Sequence, residues 1–355
     1  MNLDQHSSFA QVDLEDMLGH IDGLPGQFET AWDLGSRQPL PAWQGIERVL
    51  IAGMGGSAIG ADLLSAYVAG QCKAPVLVHR DYGLPAWAQG ESTLVIASSH
   101  SGNTEETLDA FAEAAQRNCR ILAVATGGKL LAAAQQAGAA SWTFVHQGQP
   151  RAAVGFSFGL LLAAFARLGL IADPGAEVEN AIAAMRAQQE KIKADVPVVQ
   201  NAAKRLAGQL VGRWVSVFGS GILAPVARRW KGQISELAKA WAQFEFLPEA
   251  DHNTLAGTLQ PEGMLPNIYT LFLRSAADHP RNRLRTELTK KVFMQEGLAT
   301  DFIDARGDTP LANLWTSLHL GDYVAFYLAM IYEIDPTPIA ALLAFKQEMS
   351  VAGQS

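Results

Sequence analysis

Residues 94–108 read LVIASSHSGNTEETL and contain the turn that decides the fold of this chain. The stretch opens with an apolar run at 94–97, which is typical of a strand buried on both faces in a parallel sheet. From Thr104 onward it carries two acidic residues and then Leu108 and Phe111 at helical spacing, which predicts a helix. A strand that passes through a short turn into a helix is the building unit of an α/β fold.

The turn itself is rich in hydroxyl groups. Ser98, Ser99, Ser101 and Thr104 lie next to the amino end of the predicted helix, and Gly102 allows the backbone to turn sharply. Hydroxyls, free amides and the positive end of a helix dipole together favour an anion. The turn contains no lysine, which argues against a Walker-type nucleotide loop. A phosphomonoester site is the favoured interpretation, and a serine that caps an ordinary turn is the alternative.

Length and composition set limits on the kind of protein. The chain has 355 residues, of which 49% are hydrophobic, and this size suits two globular domains. A formal net charge of −8 without a basic stripe argues against nucleic-acid or anionic-membrane partners. The acidic start is unlike a secretory signal, and two cysteines give no disulfide framework, so we expect a cytoplasmic protein. The histidines show no metal-ligand spacing, which predicts no metal site.

A second strand, turn and helix precede the serine-rich turn. An apolar run at 48–52 leads directly into the glycine-rich sequence GMGGSAIG. Gly53, Gly55 and Ala58 also satisfy the dinucleotide-binding pattern, and Asp81 follows the next predicted strand, where a ribose-binding acid would belong. An NAD(P)-dependent dehydrogenase therefore stays open as an alternative, although it does not require the serine-rich turn.

The chain reads as two copies of one α/β unit. The apolar helix at 154–172 carries Arg167 near its end, which favours a buried core helix over a membrane span. The sequence DPG at 173–175 ends that helix and marks the boundary between the halves. Predicted strands then recur in both halves, at 48–52, 76–78, 94–97, 121–125 and 143–145 and again at 214–218, 268–272 and 302–304.

Three polar residues stand out as candidates for chemistry. Arg151 precedes the apolar helix, and by itself reads as an ion-paired helix-start residue. Glu236 lies on the flank of a predicted helix and reads as solvated, while His252 follows an acidic loop and reads as a hydrogen-bonded loop histidine. The apolar stripe of the helix that bears Glu236 consists of Trp230, Ile234, Leu237 and Trp241.

Seven motifs in their order resemble one family. GMGGSAIGAD, SSHSGNTEETL, TGGKL, QPRAA, RRWKGQ with ELAK, PEADHN and HLGDYVAFYLA together resemble the bifunctional phosphoglucose/phosphomannose isomerases. The resemblance covers nearly all of residues 14–350 and implies two tandem sugar isomerase (SIS) domains of flavodoxin-like topology, each a parallel-sheet αβα unit. The expected divisions are an N-terminal helical segment at 1–40, SIS domains at 41–172 and 211–333, a helical connection at 173–210 and a C-terminal helical tail at 334–355.

The resemblance also implies an activity and a set of site residues. The family interconverts glucose 6-phosphate and mannose 6-phosphate with fructose 6-phosphate through a cis-enediolate, without metal or cofactor. Glu236 would be the general base, Arg151 would stabilise the enediolate, and His252, from a neighbouring subunit of a homodimer, would assist ring opening. Lys346 would contact the ring oxygen and Thr337 would admit mannose 6-phosphate. The residues that would hold the sugar phosphate are Gly56, Ser57, Ser99, Ser101 and Thr104.

The sequence departs from the family pattern at two of these positions. His100 stands where a tyrosine is common, and Leu237 follows Glu236 where an asparagine is frequent, which bears on the hydrogen bonding of the base. A noncatalytic SIS-type sensor of sugar phosphates remains a further alternative. Such sensors usually carry a separate DNA-binding or nucleotide-binding module, and no such module is evident in this sequence.

Overall fold

The computed structural model describes residues 1–352, and within them two parallel sheets form the frame of the fold. The first sheet has the order β2-β1-β3-β4-β5 and the second has the order β7-β6-β8-β9. The first order is that of flavodoxin-like proteins, so the prediction of two parallel-sheet α/β units is confirmed. The strands are β1 (Arg48–Ala52), β2 (Val76–His79), β3 (Thr93–Ser98), β4 (Arg120–Ala125), β5 (Ala140–Thr143), β6 (Trp214–Ser220), β7 (Ala242–Leu247), β8 (Ile268–Arg274) and β9 (Ala299–Asp304).

Helices cover both faces of the sheets and join the two halves. In chain order they are α1 (Met17–Asp22), α2 (Leu24–Arg37), α3 (Gly55–Val68), α4 (Glu105–Gln116), α5 (Gly128–Ala137), α6 (Val154–Arg167), α7 (Gly175–Gln189), α8 (Ala202–Leu210), α9 (Ala224–Leu237), α10 (Pro280–Gln295), α11 (Pro310–Tyr332) and α12 (Ala340–Ala352). Helices α1 and α2 are the predicted N-terminal segment, and α12 lies in the predicted C-terminal tail, whose residues 353–355 are outside the described part. The domain limits themselves stay predictions.

Two apolar helices form the centre of the molecule. Helix α6 packs between α2 and α3, and α11 packs against α7, α8 and α9. Both helices are buried along almost their whole length, as expected for elements surrounded by other helices rather than by solvent on one side. Among the described residues, no helix is both long enough and apolar enough to cross a membrane. The prediction of a buried core helix that starts at Val154 is therefore confirmed, but the helix ends at Arg167 and not at residue 172 as predicted.

Three local predictions were wrong. The strand predicted at 143–145 lies earlier, at β5, where Trp142 is buried and Val145 is 86% exposed. The glycine-rich sequence was predicted to be a turn before a helix at 62–68, but helix α3 begins at Gly55, so most of that sequence belongs to its first turns. Helix α9 ends at Leu237, and Lys239 in a left-handed conformation (φ +52°) redirects the chain into β7. Trp241 therefore leaves the predicted stripe and is 72% exposed.

Candidate active site

A cleft of about 330 Å³ lies between the amino end of α3 and one side of α9. Residues of both halves of the chain line it, among them Gly56 from the first half and Glu236 from the second. Among the described residues that line the cleft, five are cationic and one is a carboxylate, so the cleft favours an anionic ligand. The five cations are Arg80, Arg151, Arg228, Arg229 and Lys231.

Arg151 lies at the base of this cleft with only 3% of its surface exposed. Its Nη2 donates to the carbonyl oxygens of Pro336 at 2.9 Å and Thr337 at 2.5 Å. Its Nη1 lies 3.7 Å from Oε2 of Glu236, and Nε has no partner among the described residues. Burial lowers the pKa of Arg151, while Glu236 acts in the opposite direction. The guanidinium is thus fixed by backbone carbonyls, and its Nη1 lies on the side of Glu236.

Glu236 presents a carboxylate with few competing contacts. Its side chain is 34% exposed and, within the described residues, its carboxylate has Arg151 as its ion-pair partner. The neighbouring Leu237 is fully buried in the core, and its apolar side chain supplies no hydrogen bond to the carboxylate. A carboxylate at the edge of a cleft with one cation beside it is able to accept and return a proton.

A buried ion pair connects α9 to α11 behind Arg151. Arg229 donates from Nε and Nη2 to the two carboxylate oxygens of Asp322 at 3.1 and 2.8 Å, and both side chains are 4% exposed. The same Nη2 also donates to the carbonyl oxygen of Arg151 at 2.8 Å. This bidentate pair therefore positions the backbone that carries the arginine of the site.

Asp62 organises two further arginines at the cleft. Its Oδ2 accepts from Arg80, which follows β2, and lies 3.3 Å from Nη1 of Arg228 on α9. Arg228 also lies over the ring of Phe244 at 5.5 Å. One carboxylate thus holds cations from both halves of the chain beside the cleft.

The serine-rich turn forms a compact hydroxyl cluster next to α3. The backbone N–H of His100 donates to Oγ of Ser57 at 3.1 Å, which ties the turn to the first residues of α3. Oγ of Ser99 and Oγ1 of Thr104 are 2.9 Å apart. Ser101 is exposed, and its Oγ accepts from the N–H of Asn103 at 3.2 Å, which leaves its proton free to donate. The cluster therefore offers donors at the amino ends of α3 and α4.

Two glycines permit this close packing. A Cβ at Gly56 would lie 2.4 Å from the carbonyl oxygen of Pro150, so the amino end of α3 can approach the segment that bears Arg151. Gly102 has φ +67°, and a Cβ there would lie 1.9 Å from the carbonyl oxygen of Gly127. A larger residue would fit at either position only if the backbone moved.

A histidine pair supports the serine-rich turn from behind. Nε2 of His100 and Nδ1 of His146 are 3.0 Å apart, and the ring of His20 packs on that of His146. Burial lowers the pKa of His146 to about 4, and His100 and His20 shift it in the same direction. Burial also lowers the pKa of His100. Both rings are therefore neutral near pH 7, so His100 adds no positive charge to the turn.

The structure brings together some of the predicted site residues and separates others. Gly56, Arg151 and Glu236 meet at the cleft, and Thr337 is buried beside Arg151 with an Oγ1 that has no described partner. His252 is exposed at the end of a short turn after β7, and Lys346 is exposed on α12. Neither of these two lines the cleft of its own chain, and neither do Ser57, Ser99, Ser101 or Thr104, which adjoin it through the start of α3.

Several contacts of the site were missed from the sequence. Asp322 is the single acid in the 23-residue apolar helix α11, and a lone buried acid requires a cationic partner, so this signal was available. Asp62 and Arg80 carry no such signal because acids and arginines are common on protein surfaces. Asp81, considered for ribose binding, is exposed after β2 and does not line the cleft, and its carboxylate accepts from the N–H of Tyr82 at 2.8 Å. Within the described residues, no group of three His, Cys, Asp or Glu side chains is placed to hold a metal ion.

Comparison with known proteins identifies the family. Residues 199–349 match the model of the bacterial phospho-glucose isomerase C-terminal SIS domain. The chain is 39% identical over 336 residues to the bifunctional phosphoglucose/phosphomannose isomerase of Caldicellulosiruptor bescii, which spans 94% of this chain and 99% of that relative. It is 32% identical over 337 residues to the enzyme of the same name from Aquifex aeolicus, with 95% and 99% covered.

Solved structures share the fold at lower identity. A hypothetical protein from Thermus thermophilus superposes with a TM-score of 0.75 at 18% identity, over 99% of this chain and 94% of that one. A glucose-6-phosphate isomerase-like protein from the same organism gives a TM-score of 0.62 at 19% identity, over 96% and 99%. These likenesses confirm the tandem SIS architecture. The near-full-length relatives show that this chain belongs to the bifunctional phosphoglucose/phosphomannose isomerase family of aldose-ketose isomerases.

Proposed function

We propose that the protein interconverts glucose 6-phosphate and mannose 6-phosphate with fructose 6-phosphate through a cis-enediolate. The observation that carries this proposal is the carboxylate of Glu236 beside the buried guanidinium of Arg151 in a cationic cleft. A proton-transfer isomerase needs one base and a fixed positive charge near the developing oxyanion. The names of the relatives support the same pair of sugar phosphates.

The proposed reaction moves one carbon-bound proton. Glu236 removes the proton from C2 of the open-chain aldose, and the electron pair moves into the C1–C2 bond while charge develops on O1. Return of the proton to C1, with transfer of the O2 hydroxyl proton to O1, gives the ketose. Arg151 stabilises the negative charge of the enediolate. Because the enediolate is planar at C2, one base serves both C2 epimers if the intermediate rotates, and we assign Thr337, buried beside Arg151, to this specificity.

The sugar phosphate is assigned to the hydroxyl cluster. Gly56 and Ser57 at the start of α3, with Ser99, Ser101 and Thr104 before α4, would hold it through hydroxyl and amide donors. Binding of the phosphate at a distance from the reacting carbons would orient the open chain. Cys72 and Cys119 are free thiols, which suits the reducing cytoplasm in which we place this reaction.

The roles of His252 and Lys346 remain to be assigned, and neither residue lines the cleft of its own chain. We propose a symmetric homodimer in which His252 of one subunit assists ring opening in the site of the other. His252 is exposed at the end of the short turn that follows β7, away from the cleft lining of its own chain, and this supports the arrangement. Lys346, exposed on α12, would contact the ring oxygen.

A coupled assay tests the function directly. The purified protein should form fructose 6-phosphate from glucose 6-phosphate and from mannose 6-phosphate. EDTA should leave both rates unchanged, because Glu236 transfers the proton and Arg151 supplies the positive charge that stabilises the enediolate. Loss of activity on chelation that a divalent ion restores would reject the metal-free reaction. Tight binding of sugar phosphate without turnover would favour a noncatalytic sensor.

Removal of hydroxyls from the cluster should weaken phosphate binding. Ser101→Ala and Thr104→Ala should each reduce the affinity for a 6-phosphosugar by about 1–3 kcal/mol, because each removes a hydrogen bond to a charged group. Isothermal titration measures this loss. Ser36→Ala is the control, since its hydroxyl bonds a carbonyl within α2. Affinities that match the wild-type value in both cluster variants would show that the phosphate binds elsewhere.

A further inference from the structure

The second half of the chain contains a positional counterpart of the serine-rich turn. In the first sheet Ala52 of β1 pairs with Ala97 of β3, and in the second sheet Phe218 of β6 pairs with Phe272 of β8. As many residues separate Ala97 from the start of α4 as separate Phe272 from the start of α10. The turn at 274–279 therefore occupies the place that residues 99–104 occupy in the first half.

The neighbouring glycine turns are also equivalent in conformation. Met54 has φ −126° and ψ 159°, and its counterpart Ser220 has φ −131° and ψ 158°. The glycines that follow, Gly55 and Gly221, are both left-handed, with φ +50° and +51°. Both halves thus build the same backbone frame at the carboxyl ends of two adjacent parallel strands.

In the second half a side chain fills this frame. The carboxylate of Asp278 accepts from Oγ of Ser220 at 3.0 Å and from the backbone N–H of Ser275 at 2.8 Å. Asp278 is 6% exposed, Ser220 is 1% exposed and Ser275 is 4% exposed. Ser275 is the counterpart of His100, whose N–H donates instead to the hydroxyl of Ser57 in the first half. The backbone N–H at this position therefore donates to a carboxylate in the second half and to a hydroxyl of the proposed phosphate cluster in the first half.

The rest of the second turn is fixed around that carboxylate. The hydroxyl of Ser275 lies 2.7 Å from Oδ1 of Asn313 on α11, and the same oxygen accepts from the N–H of Ala276 at 3.2 Å. The second turn lacks the hydroxyls of the first turn at three positions. Its residues there are Arg274, Ala276 and His279, in place of Ser99, Ser101 and Thr104. Burial raises the pKa of Asp278, and its two donors and Arg283 counteract that shift.

We propose that Asp278 is a built-in anion that occupies the second-half counterpart of the phosphate site, and that its removal uncovers a binding site for a small carboxylate or phosphate. The contrast with a phosphate site in the first half rests on the proposed function, whereas the contacts of Asp278 do not. The wild-type chain accordingly binds one 6-phosphosugar, in the first half, and the second half has a structural role.

Chemical rescue of a truncated variant tests this proposal. Asp278→Gly should lower the midpoint of thermal unfolding, and sodium formate should raise that midpoint by at least about 2 °C more than sodium chloride of equal ionic strength, because formate replaces the lost carboxylate. Asp304→Gly is the matched control. Asp304 is an exposed acid paired with Arg274, so its loss should leave no enclosed site and no formate-specific shift.

Each outcome decides the matter. Equal effects of formate and chloride on Asp278→Gly would overturn the proposal. A formate-specific shift of the same size in the wild type and in Asp304→Gly would also overturn it. If Asp278→Gly is recovered only by refolding, its yield in formate against chloride is the readout, with the same two outcomes. Titration of the wild type with a 6-phosphosugar should give one site per chain. Two sites would overturn this inference, whereas no binding would reject the proposed function and leave the formate result unaffected.

Discussion

Glu236→Gln is expected to lower kcat for both aldose phosphates by about 10³-fold, within the range that general-base catalysis supplies. The amide keeps the size of the side chain and its place beside Arg151, but it has no basic oxygen that accepts the proton from C2. Binding of the sugar phosphate should change little, because its phosphate is assigned to a separate cluster. Steady-state kinetics with the coupled assay measure kcat and KM for both substrates.

The control for this variant is Glu179→Gln, which changes an exposed glutamate on α7 and should retain wild-type kinetics. A kcat of Glu236→Gln within about tenfold of the wild-type value would be too small an effect for loss of the base. Glu236 would then be a neighbour of Arg151 and not the proton carrier.

Mixing two inactive variants is expected to restore activity. If His252 of one subunit completes the site of the other, Glu236→Gln and His252→Ala homodimers each contain two damaged sites. A heterodimer of the two contains one site with both lesions and one intact site, so it should have about half of the wild-type activity. The subunits are exchanged after mild denaturation, and the coupled assay records the activity that returns.

Native mass spectrometry must show that heterodimers have formed, and each variant taken alone through the same treatment must stay inactive. Heterodimers without activity would mean that His252 acts within its own chain or has no part in the reaction. A chain that stays monomeric at assay concentrations would contradict the homodimer itself.

The sequence predicted those parts of the fold that local pattern determines. Strands such as β3 are buried apolar runs between clear turns, and they were found where they were expected. Strand β7 was missed although its residues, AQFEFL, alternate between apolar and polar, because the helical spacing of α9 continues to Trp241, next to the start of the strand. Trp241 continued the helical spacing of α9 by coincidence, and the left-handed Lys239 that ends this continuity has no local signature.

The site was less predictable than the fold, because it depends on residues far apart in the chain. The helix pattern places Glu236 on a flank, and the flank becomes a cleft wall once α3 packs against α9. Arg151 is distant in sequence from Glu236, so only family resemblance placed the two in one site before the structure did so. The pairing of Arg229 with Asp322 follows from the packing of α9 on α11, which no local pattern specifies.

Deuterium incorporation from solvent tests the central claim, proton transfer through Glu236, most directly. In D₂O, wild-type protein should introduce deuterium at C2 of recovered glucose 6-phosphate and mannose 6-phosphate, and at C1 of fructose 6-phosphate, because a carboxylate exchanges its proton with solvent. NMR of the recovered sugars measures this incorporation, and Glu236→Gln should show almost none. Isomerisation of both aldoses by Glu236→Gln at the wild-type rate, with complete retention of the original hydrogen, would contradict the proposal, since the hydrogen would then move between the two carbons without this base.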